Sequence, residues 1–91
     1  MSIRKKKNSL EVKMNIIEYC TVSCNISSLH YSSGIGYKAL RVYLEELKSK
    51  DIVREFVAED KRVRFQTTEK GKEILKLFKQ LITKIEGKTR Q

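Results

Sequence analysis

Lys38 and Arg41 stand three residues apart in SSGIGYKALRVYL, directly after two closely spaced glycines, Gly34 and Gly36. At that spacing a helix carries both cations on one face. Arginine can hold a guanine edge with two hydrogen bonds, while lysine meets a phosphate as a point charge. Ser33, just ahead, has a hydroxyl and a backbone N–H for a phosphate, and Tyr37 has a ring for a sugar or a thymine methyl. Two further cationic groups occur. Arg62 and Arg64 alternate with apolar residues in RVRF, and Arg4, Lys5, Lys6 and Lys7 open the chain. This chemistry suits a polyanion.

The whole composition agrees. In 91 residues, 20 Lys and Arg face 11 Asp and Glu, for a formal net charge of +9. Each phosphate neutralised by such a surface also releases condensed counterions, so double-stranded DNA leads as partner, ahead of an anionic membrane surface. No apolar run approaches the roughly 20 residues that span a bilayer, and the basic start runs into a charged amphipathic stretch instead of a signal-peptide core. A cytoplasmic, nucleoid-associated protein is expected, with no membrane association. Catalysis has little to rest on: there is one histidine, no phosphate-cradling glycine loop, and no nucleophile beside a base. No enzyme, cofactor or small-molecule ligand is expected.

Cys20 and Cys24 lie four apart in CTVSC, with only His30 nearby as a further soft ligand. One chain therefore cannot close a four-ligand zinc site. Buried small hydrophobes are the leading reading, with a disulfide as the alternative. His30 is given no role.

The elements that must position these groups follow from periodicity. Asn8 and Glu11 form a capping box for a first helix over about Ser9 to Thr21, whose Leu10, Val12, Met14, Ile16, Ile17 and Cys20 make a broad core-facing stripe. ISSLHY predicts two helical turns with Ile26 and Leu29 inward. In SSGIG, Gly34 bends the chain and Gly36 acts as N-cap for a third helix over about Tyr37 to Lys50, with Leu40, Tyr43, Leu44 and Leu47 facing the core. The period then shortens: Ile52 to Val57 and Arg62 to Gln66 read as a β-hairpin with the charged tip Ala-Glu-Asp-Lys. Thr68 caps a last helix to Glu86, in which Ile74, Phe78, Leu81, Ile82 and Ile85 form an apolar face. A domain this small cannot cover all of that face, so the five residues are expected at a homodimer interface.

Helix, helix, helix, hairpin, helix is the order of a winged helix-turn-helix, an α+β, mostly helical fold whose third helix suits a major groove. The chain also resembles the small archaeal winged-helix DNA-binding proteins that dimerise through a C-terminal antiparallel coiled coil. The resemblance is carried by the basic start running into NSLEVKMNIIEYC, by IGYKALRVYLEELKSKDIV, by the hairpin, and by TEKGKEIL with its Thr68, Glu69, Lys70 and Gly71. The chain departs from that family's pattern at Gly36, where a capping serine is usual, at Asp51, where a glycine often closes the third helix, and at CNISSLHYSSG, where the second helix is usually more basic.

The expected organisation is a basic arm at 1–7, a winged-helix domain at 8–67 and a dimerisation helix at 68–87. The function implied is a dimeric DNA-binding transcriptional regulator. The alternatives are a weakly specific architectural chromatin protein and a winged helix that meets only an acidic protein partner.

Overall fold

The computed structural model describes residues 9–86. The arm residues Arg4, Lys5, Lys6 and Lys7, and the capping Asn8, lie outside them. The elements run α1 Ser9–Tyr19, α2 Ile26–Ser33, α3 Tyr37–Ser49, β1 Val53–Val57, β2 Val63–Thr67 and α4 Glu69–Glu86. The two strands pair antiparallel with Val53 opposite Thr67 and Val57 opposite Val63. A short bridge from Cys24 to Phe65 lays the α1–α2 loop against β2, so the hairpin is anchored at its root.

The core draws on every helix of the domain. Ile16, Ile17 and Cys20 of α1 and its C-terminal turn meet Leu29 of α2, Leu40, Leu44 and Leu47 of α3, and Ile52, Val53 and Phe65 around the hairpin. Each large side chain fully removed from water contributes about 1.5–3 kcal/mol before entropy is counted. Thr67 is buried with them, and its hydroxyl donates to the Ile17 carbonyl at 2.7 Å, which removes the penalty of an unpaired polar group there. Leu10, expected in the core, is 57% exposed, because the first turn of α1 runs past the edge of the packed layer.

Helix ends explain most boundary shifts. The second helix continues through Ser32 and Ser33, beyond the expected two turns, until Gly34 stops it in the left-handed conformation (φ 74°), its N–H donating to the His30 carbonyl. Asn25 caps the other end by accepting from the Ser28 amide at 2.8 Å. Gly36 is the extended N-cap of α3 and supplies no side-chain acceptor. At the far end of α3, Asp51 takes the left-handed conformation (φ 62°) where a glycine is common. There Ile52 N–H donates to the Leu47 carbonyl and Asp51 N–H to the Lys48 carbonyl, the paired bonds of a Schellman motif. That motif uses Ile52, so β1 begins one residue later than expected.

The start of α4 shows why Thr-Glu-Lys-Gly suits this junction. Thr68 Oγ1 accepts from the Gly71 amide at 3.1 Å and donates back to the Asp51 and Ile52 carbonyls. Gly71 is buried, and a Cβ there would stand 2.4 Å from the Ile52 carbonyl oxygen and 2.5 Å from Thr67 Cγ2. Alanine would gain about 1 kcal/mol in helix propensity yet meet backbone that cannot move cheaply. Gly71→Ala is therefore expected to lower stability by a net of about 1–3 kcal/mol. The urea unfolding midpoint checks this, and an unchanged or higher midpoint would contradict it.

Candidate nucleic-acid interface

Lys38 and Arg41 lie on the exposed face of α3, and neither side chain makes a hydrogen bond or ion pair with the described residues. The N-terminal amides of this helix have no side-chain cap, so its positive dipole end is left open beside them. Val42 and Glu45 share the same face, Val42 64% exposed.

Arg62 approaches from a different element. The hairpin tip turns through Glu59, Asp60 and Lys61, with Lys61 left-handed (φ 70°) and Ala58 N–H donating to the Arg62 carbonyl at 2.9 Å. Asp60 accepts from the Arg62 amide at 3.0 Å, which occupies one tip carboxylate with local backbone. Arg41 of α3 and Arg62 of the wing then line one concavity of about 610 Å3, bounded by Asn25, Ser27, Glu45 and Phe65. Thus two of the expected cations are brought together across the helix–wing gap.

Three other expected residues are held differently. Arg64 points to the root of the hairpin: its Nε donates to Ser23 Oγ at 3.1 Å and its terminal nitrogen to the Ser23 carbonyl at 2.9 Å. The Cys24–Phe65 bridge puts Ser23 within reach, a proximity that a separation of 41 residues conceals in the sequence. Ser33 ends α2, half-buried, and its Oγ accepts from the Ile35 amide at 3.2 Å. Tyr37 stacks on His30 with ring centroids 4.1 Å apart, while the His30 Nδ1 bonds the Ile35 carbonyl at 2.7 Å. The tyrosine therefore packs on α2, and His30 braces the turn that leads into α3.

Several cations elsewhere are paired. Lys13 and Lys50 both reach Glu46, Lys48 bridges Glu45 and Glu55, and Lys79 meets Glu18 at 3.1 Å. The two lysines hold the Glu46 carboxyl below the usual carboxylate range, Lys13 most strongly, and the Glu55 and Glu45 carboxylates raise the Lys48 ammonium. Charge is thus neutralised along the distal half of α3 and left bare at its start and on the wing.

Along α4, Ile74, Leu75 and Phe78 pack against the domain's own core. Leu77, Leu81, Ile82 and Ile85 remain exposed, Ile85 by 72%. A cleft of about 480 Å3 between α1 and α4 is lined by Met14, Leu75, Phe78 and Ile82. Of the five residues expected at an interface, the first two are accordingly turned inward, and Leu77 joins the outer stripe.

The family model for the winged helix-turn-helix matches residues 6–86. The chain belongs to the winged helix-turn-helix family. Among solved structures, this winged helix is similar to Sso10a-2, a DNA-binding protein from Sulfolobus solfataricus. The two are 26% identical with a TM-score of 0.76, over 89% of this chain and 84% of that one. It is also similar to the transcriptional regulator BldR from the same organism (15% identity, TM-score 0.72, 89% and 63% covered). A third likeness is to FabT from Streptococcus pneumoniae in complex with DNA (18% identity, TM-score 0.69, 93% and 64% covered). No curated protein matches the sequence significantly. No described helix is long and apolar enough to cross a membrane, and the described residues hold no cluster of three or more potential metal ligands.

Proposed function

We propose that this winged helix is a cytoplasmic, nucleoid-associated, homodimeric DNA-binding transcriptional regulator. The observation that carries the reading is the partition of charge: Lys38, Arg41, Lys61 and Arg62 stand unpaired around the start of α3 and the wing, while cations on α1 and the distal half of α3 are matched by carboxylates. In this reading α3 enters the major groove, with Arg41 addressing a base edge and Lys38 a neighbouring phosphate. Arg62 and Lys61 follow the backbone beside the groove, and the arm Arg4 to Lys7 neutralises further phosphates. Ser33 and Arg64 act behind the surface, Ser33 in the turn and Arg64 at the wing root. Tyr37 keeps one ring face toward the DNA. A second copy covers Leu77, Leu81, Ile82 and Ile85, and the twofold axis between the α4 helices sets the spacing of two recognition helices. No cofactor enters the scheme.

Fluorescence anisotropy of random-sequence duplex DNA across a salt series tests this. Binding should weaken linearly in log–log form with a slope of about −0.9 per phosphate neutralised. Selection from a randomised duplex pool should then return a motif with two half-sites. A pool that stays random would turn the function toward architectural coating, and absence of binding at low salt would remove DNA altogether.

A further inference from the structure

Cys20 and Cys24 are both free thiols, with their sulfurs 3.7 Å apart. Each is fixed by backbone bonds to the same strand. The Cys20 carbonyl accepts from Thr67 N–H at 2.8 Å, and Cys24 exchanges both of its backbone bonds with Phe65. The side chains therefore face each other because β2 holds both ends of the CTVSC loop, and no loop search is needed to bring them together. A disulfide requires a sulfur separation of about 2.0 Å, so closure asks for an approach of less than 2 Å.

The two thiols differ in a way that assigns them separate roles. Cys20 is fully buried, whereas Cys24 is partly open to solvent. The hydrogen bond between the two sulfurs pulls the Cys24 thiol down to about 7, and the Arg64 guanidinium adds to this against the opposing effect of burial. The same hydrogen bond, together with burial, pushes the Cys20 thiol up. Cys24 is thus the thiolate that meets an incoming reagent, and Cys20 the protonated neighbour behind it.

We infer that the Cys20–Cys24 pair is an oxidation site, in which a small peroxide converts the two thiols into an intramolecular disulfide. The Cys24 thiolate attacks one peroxide oxygen: an S–O bond forms, the O–O bond breaks and hydroxide leaves, so sulfur is oxidised to the sulfenic acid and peroxide is reduced. Cys20 then loses its proton to that hydroxide and attacks the Cys24 sulfur. The S–S bond forms, the S–O bond breaks, and the second hydroxide leaves as water on taking a proton from solvent. In sum, two thiols and one hydrogen peroxide give one disulfide and two waters. The ring so closed contains Ser23, the residue that holds Arg64, and it staples the loop to which the root of the wing is hydrogen-bonded.

The test uses the full chain, reduced, freed of reductant and exposed to one equivalent of hydrogen peroxide, then unfolded in N-ethylmaleimide and weighed intact. The wild type should lose two hydrogens, take up no maleimide, run as a single chain on a non-reducing gel and revert with dithiothreitol. Cys20→Ser, with peroxide and dimedone present, should carry one dimedone at Cys24, and Cys24→Ser should keep its single thiol for maleimide. Two free thiols in peroxide-treated wild type, or a disulfide between chains instead of within one, would overturn the assignment. The wild-type mass decides even where a serine variant folds poorly, and it does not depend on whether the protein binds DNA.

Discussion

Replacing Lys38 and Arg41 together by alanine is expected to weaken binding to a selected site on the order of 10–100-fold, while leaving the fold within about 0.5 kcal/mol of wild type. Both side chains are exposed and make no bond to the described residues, so their loss removes nothing that holds α3 in place. Arginine to guanine contributes roughly 1–3 kcal/mol of discrimination, and removing one lysine–phosphate pairing lowers the salt slope by about 1. The Arg41→Ala single variant should therefore flatten the selected motif at one position. Lys38→Ala should weaken all sequences by a similar factor. A matched control is Lys50→Ala, since Lys50 already pairs with Glu46 at 3.3 Å and should change affinity little. Anisotropy titrations of the double and the three single variants against selected and random duplexes separate these effects. Equal losses from Lys50→Ala and Lys38→Ala would show that bulk charge, not position, governs binding.

The second large effect concerns assembly. Leu81→Glu with Ile85→Glu should convert a dimer into a folded monomer, measured by sedimentation equilibrium, because both side chains project from the outer stripe of α4 and are 53% and 72% exposed in the single chain. Placing carboxylates in a buried apolar seam costs several kcal/mol, whereas the same change on a free surface costs almost nothing. Loss of the dimer removes the second recognition helix from each complex and with it the benefit of linked binding, expected at about a hundredfold in affinity for a two-half-site duplex. Phe78→Glu is the contrasting variant. Phe78 packs against its own core, so this change should unfold the domain as well. A Leu81→Glu, Ile85→Glu protein that remains dimeric would place the interface elsewhere.

Much of this architecture could be read from spacing, and the exceptions share a cause. Leu40, Leu44 and Leu47 recur at three and four residues because α3 lies flat on the core, and all three are buried. The hairpin shows itself by alternation and the junction to α4 by Thr68 and Gly71. The second helix is longer than expected because serine's weak helix propensity hides a continuation that ends only where Gly34 adopts a positive φ. Ile74 and Phe78 belong to the same apolar repeat as Leu81 and Ile85, and periodicity alone cannot say where along α4 the domain stops covering it. Of the candidate site, only the local part follows from spacing: Lys38 and Arg41 fall together on the exposed face of α3. The site was not legible where distant residues meet: Arg64 with Ser23, and His30 with Tyr37, depend on loop paths that residue types do not encode.

DNA is expected to meet α3, the wing and the basic arm, and not the α1–α4 face. Backbone amide mapping by 1H–15N NMR during titration with a short duplex addresses this at residue level. Shifts confined to Arg4 through Lys7, Tyr37 through Glu45 and Glu59 through Val63, with the α1–α4 cleft unmoved, are the predicted result. Shifts centred on α1 and α4, with the start of α3 silent, would contradict the account.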